Sequence, residues 1–239
     1  MLTAIATRSI LGILLALTAL PVSAQDETFL IAVPEEAPSA AVESDAMTLE
    51  TIPALSLDGT VGDGERAFEV CSHCHLPSAA GRLDGSVPQL AGQHTSVLIK
   101  QMSDIREGRR ENPIMYPFAR TLDPQKLADL SSYIETLPIQ RGNGKGPGTH
   151  LELGETLYAR DCRECHLDSG EGSARQFVPV LAGQHYEYVL RQVRDIATGW
   201  RNNNHPETTP EISSYTPEQL VAVSDYVSRL EWPERQQQD

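Results

Sequence analysis

Cys71-Ser72-His73-Cys74-His75 is the stretch that decides how this chain is read. Two thiols three positions apart sit on one helical turn, and a histidine follows the second at once. That spacing is the attachment pattern of a c-type haem. The thiols add across the two vinyl groups of the porphyrin, and the adjacent imidazole reaches the iron from the proximal side. The pattern returns once, as Cys162-Arg163-Glu164-Cys165-His166, and the two copies use all four cysteines of the chain. A structural zinc site would not need a histidine directly after each pair. A redox dithiol would need neither the histidines nor the duplication. Two covalently bound haem c groups are therefore expected, on Cys71, Cys74, Cys162 and Cys165, with His75 and His166 as proximal ligands.

Working outward, the haem motif is part of a longer internal repeat. Val87-Pro88-Gln89-Leu90-Ala91-Gly92-Gln93-His94 recurs 91 residues later as Val178-Pro179-Val180-Leu181-Ala182-Gly183-Gln184-His185. Gln101-Met102-Ser103-Asp104-Ile105 recurs at the same offset as Gln192-Val193-Arg194-Asp195-Ile196. Beyond this the offset is 93, matching the segment from Leu127 to Tyr133 with that from Leu220 to Tyr226, so the second copy holds two extra residues between about 199 and 214. Each copy spans about 80 residues, marginal for a domain without a cofactor to fill its core.

The periodicity is helical in both copies. Helices are expected from Gly64 to Cys71, Gly154 to Cys162, Thr95 to Glu107 and Tyr186 to Ala197, the last two with apolar residues at three-to-four spacing. Asp123-Pro124 and Thr216-Pro217 place an N-cap before a first-turn proline, and Gln219 completes a capping box with Thr216. No stretch reads convincingly as a strand. Five glycines and prolines between 142 and 148 mark a linker. The expected layout is a signal peptide at 1–24, an acidic disordered tether at 25–57, a first domain at 58–138, a linker at 139–150, a second domain at 151–232 and a polar tail at 233–239.

The signal reading rests on Arg8 ahead of the 11-residue apolar run 10–20, with Val22-Ser23-Ala24 at the cut site. The run is short of the ~20 residues a bilayer span needs. The tether carries acids and prolines, and no Lys or Arg lies between Ser9 and Glu65. With 33 Asp and Glu against 19 Lys and Arg, the formal charge is −14. Such a surface disfavours nucleic acid and anionic membrane and suits partners with basic docking faces. An exported haem protein points to the periplasm, with no stable membrane insertion after cleavage.

Together these motifs resemble the dihaem class I c-type cytochromes of the cytochrome c-four type, over about residues 58–232. The resemblance implies an all-α protein of two tandem class I cytochrome c domains, each around one haem. In each the first and last helices cross, bringing Phe68 near Tyr133 and Tyr158 near Tyr226. It implies single-electron transfer rather than catalysis. It also gives Pro88 and Pro179 a role, their carbonyls orienting the proximal imidazoles. The alternative for both is an ordinary turn proline.

The distal sides differ. Of the four methionines, Met1 lies in the signal and Met47 in the tether. Met102 falls on an apolar helix face, and Met115 lies in a loop at the family's ligand position. The second copy has no methionine. Pro206, Glu207 and Thr208 stand opposite Met115, and His205 just before them is the candidate sixth ligand of haem 2. A solvated loop histidine and an open iron are the alternatives. With His/Met at haem 1 and His/His at haem 2, the second potential should be the lower. His94 and His185 read as helix-start residues, and His73 and His150 as exposed. Two further functions stay open: a haem enzyme with an open or labile haem 2 acting on peroxide or a small nitrogen oxide, and a dedicated cytochrome subunit of a periplasmic oxidoreductase.

Overall fold

The computed structural model describes residues 52–206 and 208–232. The signal at 1–24, the tail at 233–239 and most of the tether lie outside the described residues. Its last residues, 52–57, do not behave as a tether. Pro53–Ser56 forms a 3-10 helix. Ile52 and Ala54 are buried with Ile99 and Leu127 in a small apolar cluster. An acidic average over 25–57 had hidden a short apolar segment that a core could use.

Among the described residues nine α-helices follow, in two sets. The first set is α1 (Val61–His75), α2 (Thr95–Arg106), α3 (Tyr116–Ala119) and α4 (Pro124–Thr136). The second is α5 (Leu151–Asp161), α6 (Arg163–His166), α7 (Tyr186–Ala197), α8 (Thr208–Ser213) and α9 (Pro217–Ser228). Among the described residues no strand forms, only two isolated bridges, Arg110 with Arg201 and Ser173 with Val178. The short helices α3 and α8 were not anticipated, being too brief to carry a period. No helix among the described residues is long and apolar enough to cross a membrane.

The closing helices start where their caps require. Asp123 accepts from the Lys126 amide, and Thr216 and Gln219 form the reciprocal capping box. Each closing helix crosses the opening helix of its set, α4 on α1 and α9 on α5. Gly64 and Gly154 permit that contact. A Cβ on Gly64 would lie 2.1 Å from the Asp129 carbonyl oxygen, and one on Gly154 2.2 Å from that of Ala222. Only a residue without a side chain lets the backbones approach so closely. The crossings are sealed by ring pairs, Phe68 with Tyr133 at 5.6 Å and Tyr158 with Tyr226 at 5.4 Å between centroids.

The cores are unequal. The second set buries one continuous cluster from Leu157 and Tyr158 through Val189 and Leu190 to Val223 and Leu230. The first divides its buried residues between the cluster around Phe68, Leu98 and Leu130 and the one around Ile99 and Leu127. Met102 packs against the latter, as its helix face predicts.

The glycine-rich segment 139–150 is pinned along its length. Asn143 is buried and donates to the carbonyls of Gln184 and Ser228, at 2.6 and 2.8 Å. The Gly144 amide donates to His185 Nδ1 at 3.0 Å, and the Gly144 carbonyl accepts from the Tyr186 amide at 2.9 Å. Glycine there serves close approach as much as freedom.

Candidate haem sites and the seam between them

In the first set α1 runs unbroken through the motif and ends on His75, so Cys71, Cys74 and His75 share one helical stretch. In the second the helix breaks at Cys162, which has φ −120° and ψ −37°. The sequence contains the reason. Phe68 stands three residues before Cys71, whereas its ring-stacking counterpart Tyr158 stands four before Cys162. One extra residue shifts the motif about 100° around the helix relative to the stacked ring, and here the chain accommodates it by leaving the helix at Cys162.

No two of the four cysteines are joined in a disulfide. Burial pushes Cys71 above the ordinary thiol range and Cys162 up to about 12, the latter helped by the Asp161 carboxylate. Among the described residues no group of three His, Cys, Asp or Glu side chains comes together to hold a metal ion.

The proximal histidines meet the requirement for haem. His75 Nδ1 lies 3.2 Å from the Pro88 carbonyl oxygen, and His166 Nδ1 lies 3.0 Å from that of Pro179. A carbonyl only accepts, so each Nδ1 carries the hydrogen and donates it. Each Nε2 then keeps its lone pair, the state in which an imidazole binds iron. Burial holds both imidazoles neutral, lowering His75 and taking His166 to about 4, where the Arg201 charge adds to the effect. Cysteines at Cys-x-x-Cys spacing, not paired with each other, beside an imidazole with an available Nε2 fit a covalently bound haem in each domain.

Immediately after each proximal histidine the backbone is strained. Leu76 has φ 67° and ψ 158°, and Leu167 has φ 65° and ψ 176°. This region is close to glycine-only and costs on the order of 1–3 kcal/mol. The strain turns the chain off the helix sharply enough to return the proline beneath the imidazole. Gly81 N–H bonds back to the His75 carbonyl at 3.0 Å and Gly172 N–H to that of His166 at 3.1 Å.

The candidate distal residues lie in corresponding loops. Met115 is half-buried at the N-cap of α3, its amide donating to Asn112 Oδ1 at 3.1 Å. His205 is exposed on the loop entering α8, its carbonyl accepting from the Thr208 amide at 3.0 Å. Helices α3 and α8 pack against α2 and α7 respectively, so the two loops occupy equivalent places. His73 and His150 are exposed.

His94 and His185 do more than start helices. They stand at the N-caps of α2 and α7, but neither side chain makes a capping bond. Each imidazole instead crosses to the other domain. His94 Nε2 lies 2.8 Å from the Glu171 carbonyl oxygen and His185 Nε2 2.8 Å from that of Ala80, positions that are themselves 91 apart. Gln184 makes two bonds to residue 89: its Oε1 accepts from the Gln89 amide at 3.0 Å and its Nε2 donates to the Gln89 carbonyl at 2.9 Å. Gln93 does the same to Val180, at 2.9 and 3.1 Å. The interface is therefore self-complementary, as between subunits related by a twofold axis. Its signal was visible in the sequence, since Gly-Gln-His repeats unchanged at 92–94 and 183–185 where a mere turn would tolerate variation.

Farther along the seam Arg110 and Arg201 pair as a bridge of backbone and share the Gln192 amide oxygen, each at 2.8 Å. Arg110 also donates to Gln101 and to the Tyr188 hydroxyl. Burial and the neighbouring Arg110 charge lower Arg201 to about 10. Neutral amide and hydroxyl acceptors thus hold two like charges at the junction.

With this geometry in view, the relatives of the chain can be placed. The sequence matches the cytochrome c family at residues 61–138 and again at 151–231. It is 30% identical over 196 residues to cytochrome c4 of Pseudomonas aeruginosa, covering 76% of this chain and 96% of that protein. It is 29% identical over 199 residues to the thiosulfate dehydrogenase electron acceptor of Stutzerimonas stutzeri, covering 77% of this chain and 92% of that protein. Its structure is similar to that of reduced recombinant cytochrome c4 from Pseudomonas stutzeri, with a TM-score of 0.66 at 25% identity, over 72% of this chain and all of that one. A thiosulfate dehydrogenase from Marichromatium purpuratum also matches, with a TM-score of 0.63 at 25% identity, covering 71% of this chain and 40% of that one. Two Cys-x-x-Cys-His motifs in two crossed-helix domains thus carry two covalently bound haem c groups, and the chain belongs to the cytochrome c family as a dihaem, electron-transferring protein of the cytochrome c4 type.

Proposed function

We propose that this protein is a periplasmic shuttle for single electrons between redox proteins, with unlike distal ligands at its two haems. Each haem supplies a one-electron ferric/ferrous couple, and the chain sets where the electron prefers to rest. His75 and Met115 serve haem 1, while His166 and His205 serve haem 2; Pro88 and Pro179 orient the two proximal rings. A thioether is a soft neutral ligand that favours the ferrous state, so domain 1 is the higher-potential end. A gap of ~0.2 V lies within the ~0.8 V range available to axial ligands, and at 59 mV per tenfold it biases the electron toward domain 1 by roughly three powers of ten.

The observation that carries this reading is the contrast between repeated proximal sides and unrepeated distal loops. Export to the periplasm is supported by the apolar run 10–20 and the cut site at 22–24, and basic docking faces on the partners by the −14 charge. Likeness to a protein named as the electron acceptor of thiosulfate dehydrogenase favours a dehydrogenase as the donor.

A redox titration of the purified dihaem protein, followed by its optical spectrum, tests the proposal. Two separated potentials are expected. Met115→Ala should lower the potential of haem 1 alone, and His205→Ala should alter the low-spin spectrum of haem 2 alone. Equal potentials, or a haem 2 indifferent to His205→Ala, overturn the assignment.

A further inference from the structure

The carbonyl that accepts from each proximal histidine and the amide gripped by each interfacial glutamine belong to the same peptide group. Pro88 C=O and Gln89 N–H are two ends of one peptide. His75 Nδ1 donates to its oxygen at 3.2 Å, and its N–H donates to Gln184 Oε1 at 3.0 Å. Pro179 C=O and Val180 N–H are the equivalent, between His166 Nδ1 at 3.0 Å and Gln93 Oε1 at 2.9 Å. Each imidazole is therefore two hydrogen bonds and one peptide away from a glutamine of the other domain.

The arrangement is built to hold that register. Gln184 is 8% exposed and Gln89 5%. The second lone pair of Gln184 Oε1 accepts from the His185 amide at 3.1 Å, and Nε2 fixes the Gln89 carbonyl, so the side chain cannot flip without loss. Gln89 anchors its own peptide further, donating from Nε2 to the Gly183 carbonyl at 2.8 Å and accepting from the Gln140 amide at 2.8 Å. Hydrogen bonds in series across a peptide polarise one another, and more so away from water. An acceptor on the N–H makes the carbonyl a stronger acceptor, which pulls harder on the Nδ1 hydrogen and makes the ring more basic. An outer partner of this kind tunes a metal through its ligand.

We propose that Gln184 and Gln93 are crossed positioning residues: Gln184, in domain 2, sets the proximal imidazole of haem 1, and Gln93, in domain 1, sets that of haem 2. This rests on His75 and His166 being the axial ligands. The consequence is that any partner that shifts the seam between the domains shifts both potentials without touching either iron.

The test uses the full dihaem protein. Gln184→Met keeps the length and removes the acceptor, leaving a less basic His75 that favours the ferric state less. The ferrous/ferric ratio of haem 1 at a fixed applied potential should rise about threefold, a shift of about 28 mV at 59 mV per tenfold, with haem 2 unmoved. Gln93→Met should give the mirror result at haem 2. The hyperfine-shifted Nδ1 proton of the affected histidine should move with the potential. Gln184→Glu is the conservative variant, because its protonated carboxyl reproduces both bonds and should restore the wild-type value. It also serves if a methionine variant does not fold. A potential that stays put in a folded, low-spin variant, a shift at the haem of the mutated domain, or a protonated Gln184→Glu carboxyl that fails to restore the value overturns the proposal. Failure of the axial assignment would show earlier, as a wild-type protein without low-spin histidine ligation.

Discussion

Helix α1 in the first domain reaches its haem motif unbroken from Val61 to His75, whereas the second domain makes the same approach in two pieces that meet at Cys162. The distal loops differ too, one carrying Met115 and the other His205. Yet the segments that pass beneath the proximal imidazoles, the strained leucines and the Gly-Gln-His turns correspond position for position at the 91-residue offset, with Gln89 against Val180 as the one difference between 87–94 and 178–185. The difference shows which constraints a duplicated domain keeps. The segment from 87 to 94 faces both a haem ligand and the opposite domain, so a change there is felt twice. The helix entry and the distal loop each face one domain only and are free to diverge. Tyr158 illustrates that freedom. Its hydroxyl donates to the Leu167 carbonyl at 2.6 Å and ties down the strained turn, a bond that Phe68 cannot make in domain 1.

The comparison can be broken most forcefully at the crossings. Gly64→Ala and Gly154→Ala each force a methyl against a carbonyl about 2 Å away, and each should cost about 3 kcal/mol by overpacking. Guanidinium denaturation should find them equal within error; a silent variant would mean that one crossing is looser than the other. The histidine clamps come next. His185→Leu leaves the Ala80 carbonyl and the Gly144 amide without their partner and should cost about 2 kcal/mol. His94→Leu should cost about 1 kcal/mol, since beyond the Glu171 carbonyl it makes a 3.5 Å approach to Glu135 and an edge contact with the Trp232 ring. The two measured in the same denaturation series rank the halves of the seam.

Acidification should find the same inequality. Burial lowers the folded-state pKa of His185 below its ordinary 6.5, only partly offset by the Ala80 carbonyl and the Asp84 carboxylate. The groups facing its ring are that carbonyl, the Gly144 amide and, more distantly, Asp84. A charged ring would have to turn an N–H toward the Gly144 N–H. The unfolded chain binds the extra proton first, so this contribution is complete above about pH 6.5 and is lost as pH falls below it. Stability of wild type should decline over that range, and His185→Leu should flatten the decline. A parallel fall in both would remove His185 from the account. An effect as small as that of His94→Leu is expected from Tyr158→Phe, about 1 kcal/mol for the lost bond to Leu167. The reverse change, Phe68→Tyr in domain 1, should give no gain, and the pair together measure how much the second domain has added to its turn.

The sequence alone went far toward the fold because its signals were local. Two pentapeptides named the cofactor, the 91-residue repeat gave two domains, and caps at Asp123 and Thr216 located the starts of the closing helices to the residue. The break at Cys162 was latent in the spacing of Tyr158 but needed the ring pairing with Tyr226 to show which residues correspond. Tertiary structure decided what composition blurred. It drew Ile52 and Ala54 out of an acidic stretch into a core, and it pinned residues that a glycine count marks only as a connection. It also turned His94 and His185 from helix-start residues into cross-domain clamps. Their partners are main-chain carbonyls of Glu171 and Ala80, and a main-chain carbonyl has no letter in a sequence. Local chemistry is written residue by residue, whereas a seam between two domains exists only once both have folded.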